Sequence, residues 1–245
     1  MEDNRNITDS GACRAGVRIN KYLSECGVCS RRRADALVEE GRVFINGRPA
    51  AAGARVLEGD KVEVDKKRIS KQREMVLLAF NKPAGVECTT DHSNPDNIVD
   101  YIGFESRIFP IGRLDKASTG LILLTNAGEL SDKILRSTNF HEKEYNVRVN
   151  RPVTEQFIKK MEKGVPVLDT VTRPCRVKKT GKYTFSIILT QGLNRQIRRM
   201  CEYLGYEVVR LKRVRIMNIK LDGLESGKYR IVTGPELEEL LREIG

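Results

Sequence analysis

A single carboxylate, Asp115, lies between two cations, Arg113 and Lys116, in the segment Gly112–Gly120, which begins and ends at glycine. Glycine permits the sharp turns that a tight loop needs. The apolar run Leu121–Leu124 follows directly and predicts a strand that is buried on both faces. A loop carboxylate held among cations beside a buried strand can act as a nucleophile or a general base. A solvated charge cluster in a β-turn is the alternative that this spacing leaves open.

The net charge of the chain favours a polyanionic partner. The 245 residues include 44 Lys and Arg against 33 Asp and Glu, a net charge of +11. Nucleic acid is the leading candidate, because each phosphate contact releases condensed counterions. An anionic membrane surface is the lesser candidate, because no long Lys/Arg-rich helix with a bulky apolar face is found. No apolar run approaches the roughly 20 residues that cross a bilayer, so we expect no membrane association.

The cysteines and histidines give little support to a metal or redox site. Of six cysteines, only Cys26 and Cys29 form a C-x-x-C pair, and the chain has two histidines. A structural zinc site usually needs a second close pair of ligands, and no βαβ pattern surrounds this one for redox chemistry. Phosphate-loop and G-x-G-x-x-G motifs are absent from the sequence. We expect no metal or cofactor, and reduced cysteines in a cytoplasmic protein.

A small module is predicted at residues 16–65, after a mobile tail at residues 1–15. Its second helix should begin at Arg31, with Ser30 as the N-cap. Arg31, Arg32 and Arg33 occupy the first turn of that helix, where the helix dipole disfavours cations. A bound phosphate would explain this arrangement, since a helix N-terminus offers free N–H groups. A solvated basic face without a ligand is the alternative.

A larger unit is predicted at residues 75–245, after a charged linker at residues 66–74. Strands and helices follow one another in it without regular β-α alternation, which predicts an α+β fold with a largely antiparallel, mixed sheet. Tyr145 alternates with Val147 and Val149 in strand fashion. Cations crowd the start of another predicted helix, in the loop and helix of residues 191–205.

Several motifs resemble those of a known family. Residues 17–64, with C-S-R-R-x-A-D and G-x-V-x-I-N-G, resemble the S4 RNA-binding domain. Three further stretches resemble the bacterial rRNA pseudouridine synthases that have an S4 domain: N-K-P-x-G at 81–85, G-R-L-D-x-x-S-x-G-L-I-L-L-T-N at 112–126 and Q-G-x-N-R-Q-I-R-R-M at 191–200. Residues 141–145, 170–172 and 215–218 are most similar to the large-subunit synthase F type.

The resemblance implies that the chain isomerises uridine to pseudouridine in a structured stem-loop of 23S rRNA, as a monomer and without a cofactor. It implies that Asp115 is the catalytic aspartate, that Tyr145 stacks on the target base and that Arg198 pairs with the aspartate. The uridine must leave its stack for this chemistry. Further contacts with the substrate or RNA are expected from Arg113, Leu211, Arg31, Arg32, Arg33, Arg195, Arg199 and Lys82.

Three alternatives stay open at this point. The chain could act on tRNA or small-subunit rRNA by the same chemistry, or could be an RNA-binding assembly factor without activity. Within the enzymatic interpretation, Asp115 could attack the sugar, attack the base or abstract a sugar proton.

Overall fold

A computed structural model describes residues 16–70, 74–136 and 140–245. The chain divides into two compact units, residues 1–73 and 74–245. The tail predicted at residues 1–15 lies outside the described residues. No helix among the described residues is long and apolar enough to span a membrane.

The first unit packs two helices against short strands. Helix α1 (Ile19–Glu25) and helix α2 (Arg31–Glu39) bury Leu23 and Leu37 in a small core. The hydroxyl of Ser30 accepts a hydrogen bond from the N–H of Arg33 at 3.3 Å, so the predicted N-cap is confirmed.

The strands of this unit form two sheets. They are β1 (Val17–Arg18), β2 (Val43–Ile45), β3 (Arg48–Pro49), β4 (Arg55–Val56), β5 (Val62–Val64) and β6 (Lys67–Ile69), with β1 paired to β4 and the others in the order β3-β2-β5-β6. Strand β6 falls inside the segment for which a linker was predicted. The first half of that linker prediction is wrong, because residues 67–69 pair in register with β5.

The second unit is built on one mixed sheet. Its main path runs β13 (Arg176–Gly181), β14 (Thr184–Leu189), β10 (Lys143–Val149), β15 (Val208–Ile216), β9 (Thr119–Thr125), β7 (Leu77–Lys82) and β17 (Tyr229–Ile231). Strand β8 (Phe109–Ile111) pairs with β9, and β16 (Ile219–Lys220) with β15. Strands β11 (Pro166–Val167) and β12 (Thr170–Val171) form a separate hairpin. Most pairings are antiparallel, which confirms the predicted fold class.

The helices cover the two halves of this sheet differently. Helices α3 (Ile98–Ile102), α4 (Gly128–Leu135) and α7 (Gly234–Ile244) contribute to two cores around β7 and β9, whose residues are almost all buried. Helices α5 (Glu155–Lys163) and α6 (Gln196–Tyr203) cover one face of β13, β14 and β10. On β14, and on β10 from Asn146 onward, buried residues alternate with more exposed ones, as expected of a sheet with one solvated face.

Strand β15 joins the two halves, antiparallel to β10 and parallel to β9. At the parallel contact Gly120 lies opposite Arg213, with a φ of +100°. A Cβ atom at position 120 would lie 2.1 Å from the carbonyl oxygen of Arg213. Only glycine fits this position, because the space and the backbone conformation both exclude a side chain.

Candidate active site

Asp115 lies in the loop that joins β8 to β9. Gly112 at the start of the loop has a φ of +73°, and the N–H of Ser118 donates a hydrogen bond to the carbonyl oxygen of Asp115 at 2.9 Å. The turn leaves the Asp115 side chain 28% exposed. The loop therefore presents a largely enclosed carboxylate at the junction of the two halves of the sheet.

Arg198, in the first turn of α6, holds this carboxylate. Its Nε lies 3.2 Å from Oδ2 of Asp115, and its Nη2 donates to the hydroxyl of Ser118 at 3.2 Å. Its Nη1 donates to the carbonyl oxygen of Val208 at 3.2 Å. The guanidinium is only 17% exposed and bonds to the Asp115 loop and the start of β15, so the geometry of the ion pair is fixed.

Tyr145 and Leu211 form the apolar part of the same site. Both line a cavity of about 80 Å³ together with Asp115. The guanidinium carbon of Arg213 lies 6.0 Å from the centre of the Tyr145 ring, at the limit of a cation–π contact. The cavity is much smaller than ordinary ligand pockets of about 300–1,000 Å³.

Two cations form the rim of this cavity. Arg113 and Arg195 both line it and are exposed. Nη1 of Arg195 lies 3.8 Å from Oδ2 of Asp115, a long contact for a side chain that is 53% exposed. Water screens such a pair, so Arg195 binds the carboxylate weakly and stays available to an anionic ligand.

Comparison with known proteins assigns the family. Residues 76–203 match the family model of RNA pseudouridylate synthases, and residues 17–62 match that of the S4 domain. The chain belongs to the RNA pseudouridylate synthase family. The resemblance inferred from the sequence motifs is confirmed, and both matched regions lie within the units that the fold separates.

Individual relatives support this assignment. The synthase is 55% identical over 230 residues to the dual-specificity RNA pseudouridine synthase RluF of Salmonella typhi, covering 93% of this chain and 80% of that protein. It is 34% identical over 232 residues to the ribosomal large subunit pseudouridine synthase B of Bacillus subtilis, covering 91% and 95%. A crystal structure of a pseudouridylate synthase has a TM-score of 0.67 and 28% identity, covering 91% of this chain and 99% of that one.

Lys82 is not accessible to an RNA ligand. It is fully buried, and its ammonium donates to the carbonyl oxygens of Pro83, Val86 and Lys116 at 2.8, 2.7 and 3.2 Å. Burial lowers the pKa of Lys82, and the negative charge of Asp115 opposes this in part. The prediction that Lys82 contacts RNA is therefore wrong. The ammonium instead holds the backbone of the loop beside Asp115.

Arg199 is partly engaged within the protein. Its Nε and Nη2 donate to the carbonyl oxygen and the side-chain oxygen of Asn194 at 3.1 and 3.3 Å. These bonds fasten the loop before α6, and Arg199 does not line the cavity. Its contact with RNA stays a prediction.

Two residues of the site were not assigned a role from the sequence. Ser118 is a fixed position of the motif at 112–126, which signalled its importance but not its bond to Arg198. Arg213 is the second of these residues. It is buried, its Nε donates to the carbonyl oxygen of Leu121 at 2.6 Å, and its Nη2 has no partner among the described residues.

The three arginines of the S4 unit differ in their surroundings. Arg33 is paired with Glu40 at 2.7 Å, and Arg42 binds the same carboxylate at 2.9 Å. Arg31 and Arg32 are exposed and have no side-chain partner in the part of the chain that the structure describes. Two of the three arginines predicted to bind phosphate therefore have side chains that are exposed to solvent.

Proposed function

We propose that this synthase isomerises a specific uridine of 23S ribosomal RNA to pseudouridine without a cofactor, and that Asp115 is its catalytic residue. The observation that supports this most directly is the enclosed ion pair of Asp115 and Arg198, adjoining a cavity lined by Tyr145. The names of the relatives from Salmonella typhi and Bacillus subtilis agree with an RNA substrate and with the large ribosomal subunit.

The reaction breaks the N1–C1′ bond of uridine and joins the base to C1′ through C5. The proton of C5 leaves and N1 takes up a proton, so substrate and product are isomers. A carboxylate can act as a nucleophile toward the glycosidic carbon. Arg198 holds Asp115 in one orientation, because the bonds to Ser118 and Val208 prevent the guanidinium from turning away.

The target base has to leave its stack before it reaches Asp115. Flipping a base costs a few kcal/mol, and stacking on an aromatic ring returns about 1–3 kcal/mol. Tyr145 is the aromatic residue that lines the cavity, and we assign the stacking role to it. Arg113 and Arg195 at the rim would hold the phosphates on either side of the extruded nucleotide.

The test is to incubate the protein with unmodified 23S rRNA transcript and map pseudouridine by carbodiimide-dependent stops of reverse transcription. We expect a new stop with the wild type, no stop with Asp115→Asn, and at least a hundredfold slower appearance with Arg198→Lys. Asp132→Asn, which changes an exposed carboxylate of α4 in the same way, should behave as the wild type.

The same assay separates the other candidates. The relative from Salmonella typhi is named dual-specificity, so unmodified tRNA transcripts belong in the assay as a second substrate. A protein that binds rRNA tightly but produces no stop on any transcript would be an assembly factor. A primary deuterium isotope effect at C2′ would favour abstraction of the sugar proton over attack by Asp115 on the sugar or the base.

A further inference from the structure

The strands β13, β14, β10 and β15 have two faces of opposite character. The inner face packs against α5 and α6 through residues such as Val147 and Phe185. The pairing registers place Lys178, Ser186, Asn146 and Lys212 side by side in one row across the outer face, and Thr184, Arg148 and Arg210 in the next. These residues are exposed or half-buried, and we call them the outer basic face.

The four cations of this face have no acidic partners. Among the described residues, no carboxylate forms an ion pair with Arg148, Lys178, Arg210 or Lys212. Nearby Glu142 and Glu144 are engaged by Arg215, at 2.9 Å each. The face is therefore a patch of uncompensated positive charge.

The placement of Arg148 is locally unfavourable. It lies directly opposite Arg210 on the neighbouring strand, and like charges in that position repel. Both side chains also border an open cavity of about 570 Å³ with Tyr183, Asn150 and the exposed Val209. An external anion between the two guanidinium groups would convert the repulsion into binding.

The outer basic face cannot serve the catalytic cavity. Side chains of successive strand residues point to opposite faces of a sheet. Tyr145 and Leu211 line the cavity, whereas their chain neighbours Asn146 and Lys212 belong to the outer row. The catalytic cavity and the outer basic face therefore lie on opposite sides of the same strands.

We propose that the outer basic face binds the phosphate backbone of a second segment of the substrate RNA, separate from the segment that delivers the uridine. The proposal rests on the proposed function for its choice of polyanion. The row from β13 to β15 crosses three inter-strand spacings, or about 14 Å. The short Ser, Asn and Thr side chains of the two rows keep the face flat and rich in hydrogen-bonding groups. Such a surface suits sugars and phosphates, which take most polar contacts in nucleic-acid complexes.

The test uses a variant that removes the four charges without adding bulk or negative charge. Its substitutions are Arg148→Gln, Lys178→Gln, Arg210→Gln and Lys212→Gln. The matched control removes four exposed lysines elsewhere on the same unit: Lys159→Gln, Lys160→Gln, Lys163→Gln and Lys228→Gln. Both sets are made in full-length protein with Asp115→Asn, so that binding is measured without turnover, and thermal melts verify that both fold.

Affinity for full-length 23S rRNA transcript is measured from 50 to 300 mM KCl. Each lost phosphate contact reduces the slope of log K against log salt by about 0.7–0.9, so the outer-face variant should lose about 3 units of slope. We expect at least a tenfold loss of affinity near 150 mM KCl, and little change for the control. Equal slopes for the two variants would overturn the proposal.

A second readout separates this surface from the catalytic function. With Asp115 restored, the outer-face variant should convert the mapped uridine in a short stem-loop at the wild-type rate, because the stem-loop occupies only the catalytic side. An equal loss on the stem-loop would contradict a separate RNA segment. Failure of wild-type protein to form pseudouridine would refute the proposed function, while the binding slopes would still decide whether the face binds RNA.

Discussion

Replacing Lys82 by Met tests how the catalytic loop is held. The ammonium of Lys82 is the shared donor to three carbonyl oxygens, one of which belongs to Lys116, the residue after Asp115. Methionine fills a similar volume but donates nothing. The substitution removes this donor from all three carbonyl oxygens, of which that of Lys116 still accepts from the N–H of Gly85 at 3.0 Å.

The expected loss of stability follows from these bonds. An unsatisfied buried acceptor costs about 1–3 kcal/mol, whereas removing a buried ammonium recovers part of its own desolvation cost. We expect a net loss of about 2–4 kcal/mol, which corresponds to about 5–15 °C in the melting temperature of a unit of this size. A displacement of the Asp115 loop by about 1 Å should also lower kcat by about 10–100-fold.

The assay combines a thermal melt with single-turnover pseudouridine formation. Lys116→Met is the control, because it makes the same change at an exposed residue whose ammonium pairs with Asp96 at 2.7 Å. That pair is half-exposed, so its loss should cost less than about 1 kcal/mol. If Lys82→Met melted within 2 °C of the wild type with unchanged kcat, the buried ammonium would not be holding the loop.

Three further changes test other parts of the molecule. Gly120→Ala should cost at least about 3 kcal/mol of unfolding free energy in urea, since its Cβ would meet the Arg213 carbonyl at 2.1 Å, whereas Gly128→Ala, which meets nothing within 4 Å, should be neutral. Burial, with the charge of Arg213, lowers the pKa of Lys143 to about 8 from 10.5. At pH values between these two pKa values the folded state binds fewer protons than the unfolded chain, so the stability of the fold rises with pH. Lys143→Met should therefore stabilise the fold by about 1–2 kcal/mol at pH 7 and hardly at pH 10, and an equal effect at both would contradict the assignment. Ser30→Ala should remove the N-cap of α2 and raise amide exchange in that helix about fivefold, equivalent to about 1 kcal/mol.

Local features of this chain were predictable because their signals are local. Ser30 caps the helix that was expected to follow it. The run at 121–124 forms a buried strand, and Asn46-Gly47 forms a turn with positive φ at both residues. In each case the determining atoms lie within a few residues, so the pattern itself contains the cause.

The long-range parts of the site were not predictable from spacing. Asp115 and Arg198 are 83 residues apart in the sequence, and only the family resemblance predicted that they pair. The prediction for Lys82 was wrong because a lysine next to a Pro/Gly turn normally lies in solvent. Nothing nearby in the sequence indicates that three backbone carbonyl oxygens accept hydrogen bonds from its ammonium. The strand at Lys67–Ile69 was missed because its charged side chains face outward and its pairing with β5 leaves only Ile69 partly buried.

The position of β15 also constrains the order in which the sheet can be completed during synthesis. Residues 77–125 and 143–189 supply the two flanking halves of the sheet, and β15 inserts between them afterwards. A nascent chain that ends before residue 208 lacks the strand that brings those halves together, although Asp115 was made long before. Non-local pairing of this kind is slow to form. The ion pair of Asp115 and Arg198, whose guanidinium also bonds to Val208 at the start of β15, is therefore completed only late in translation.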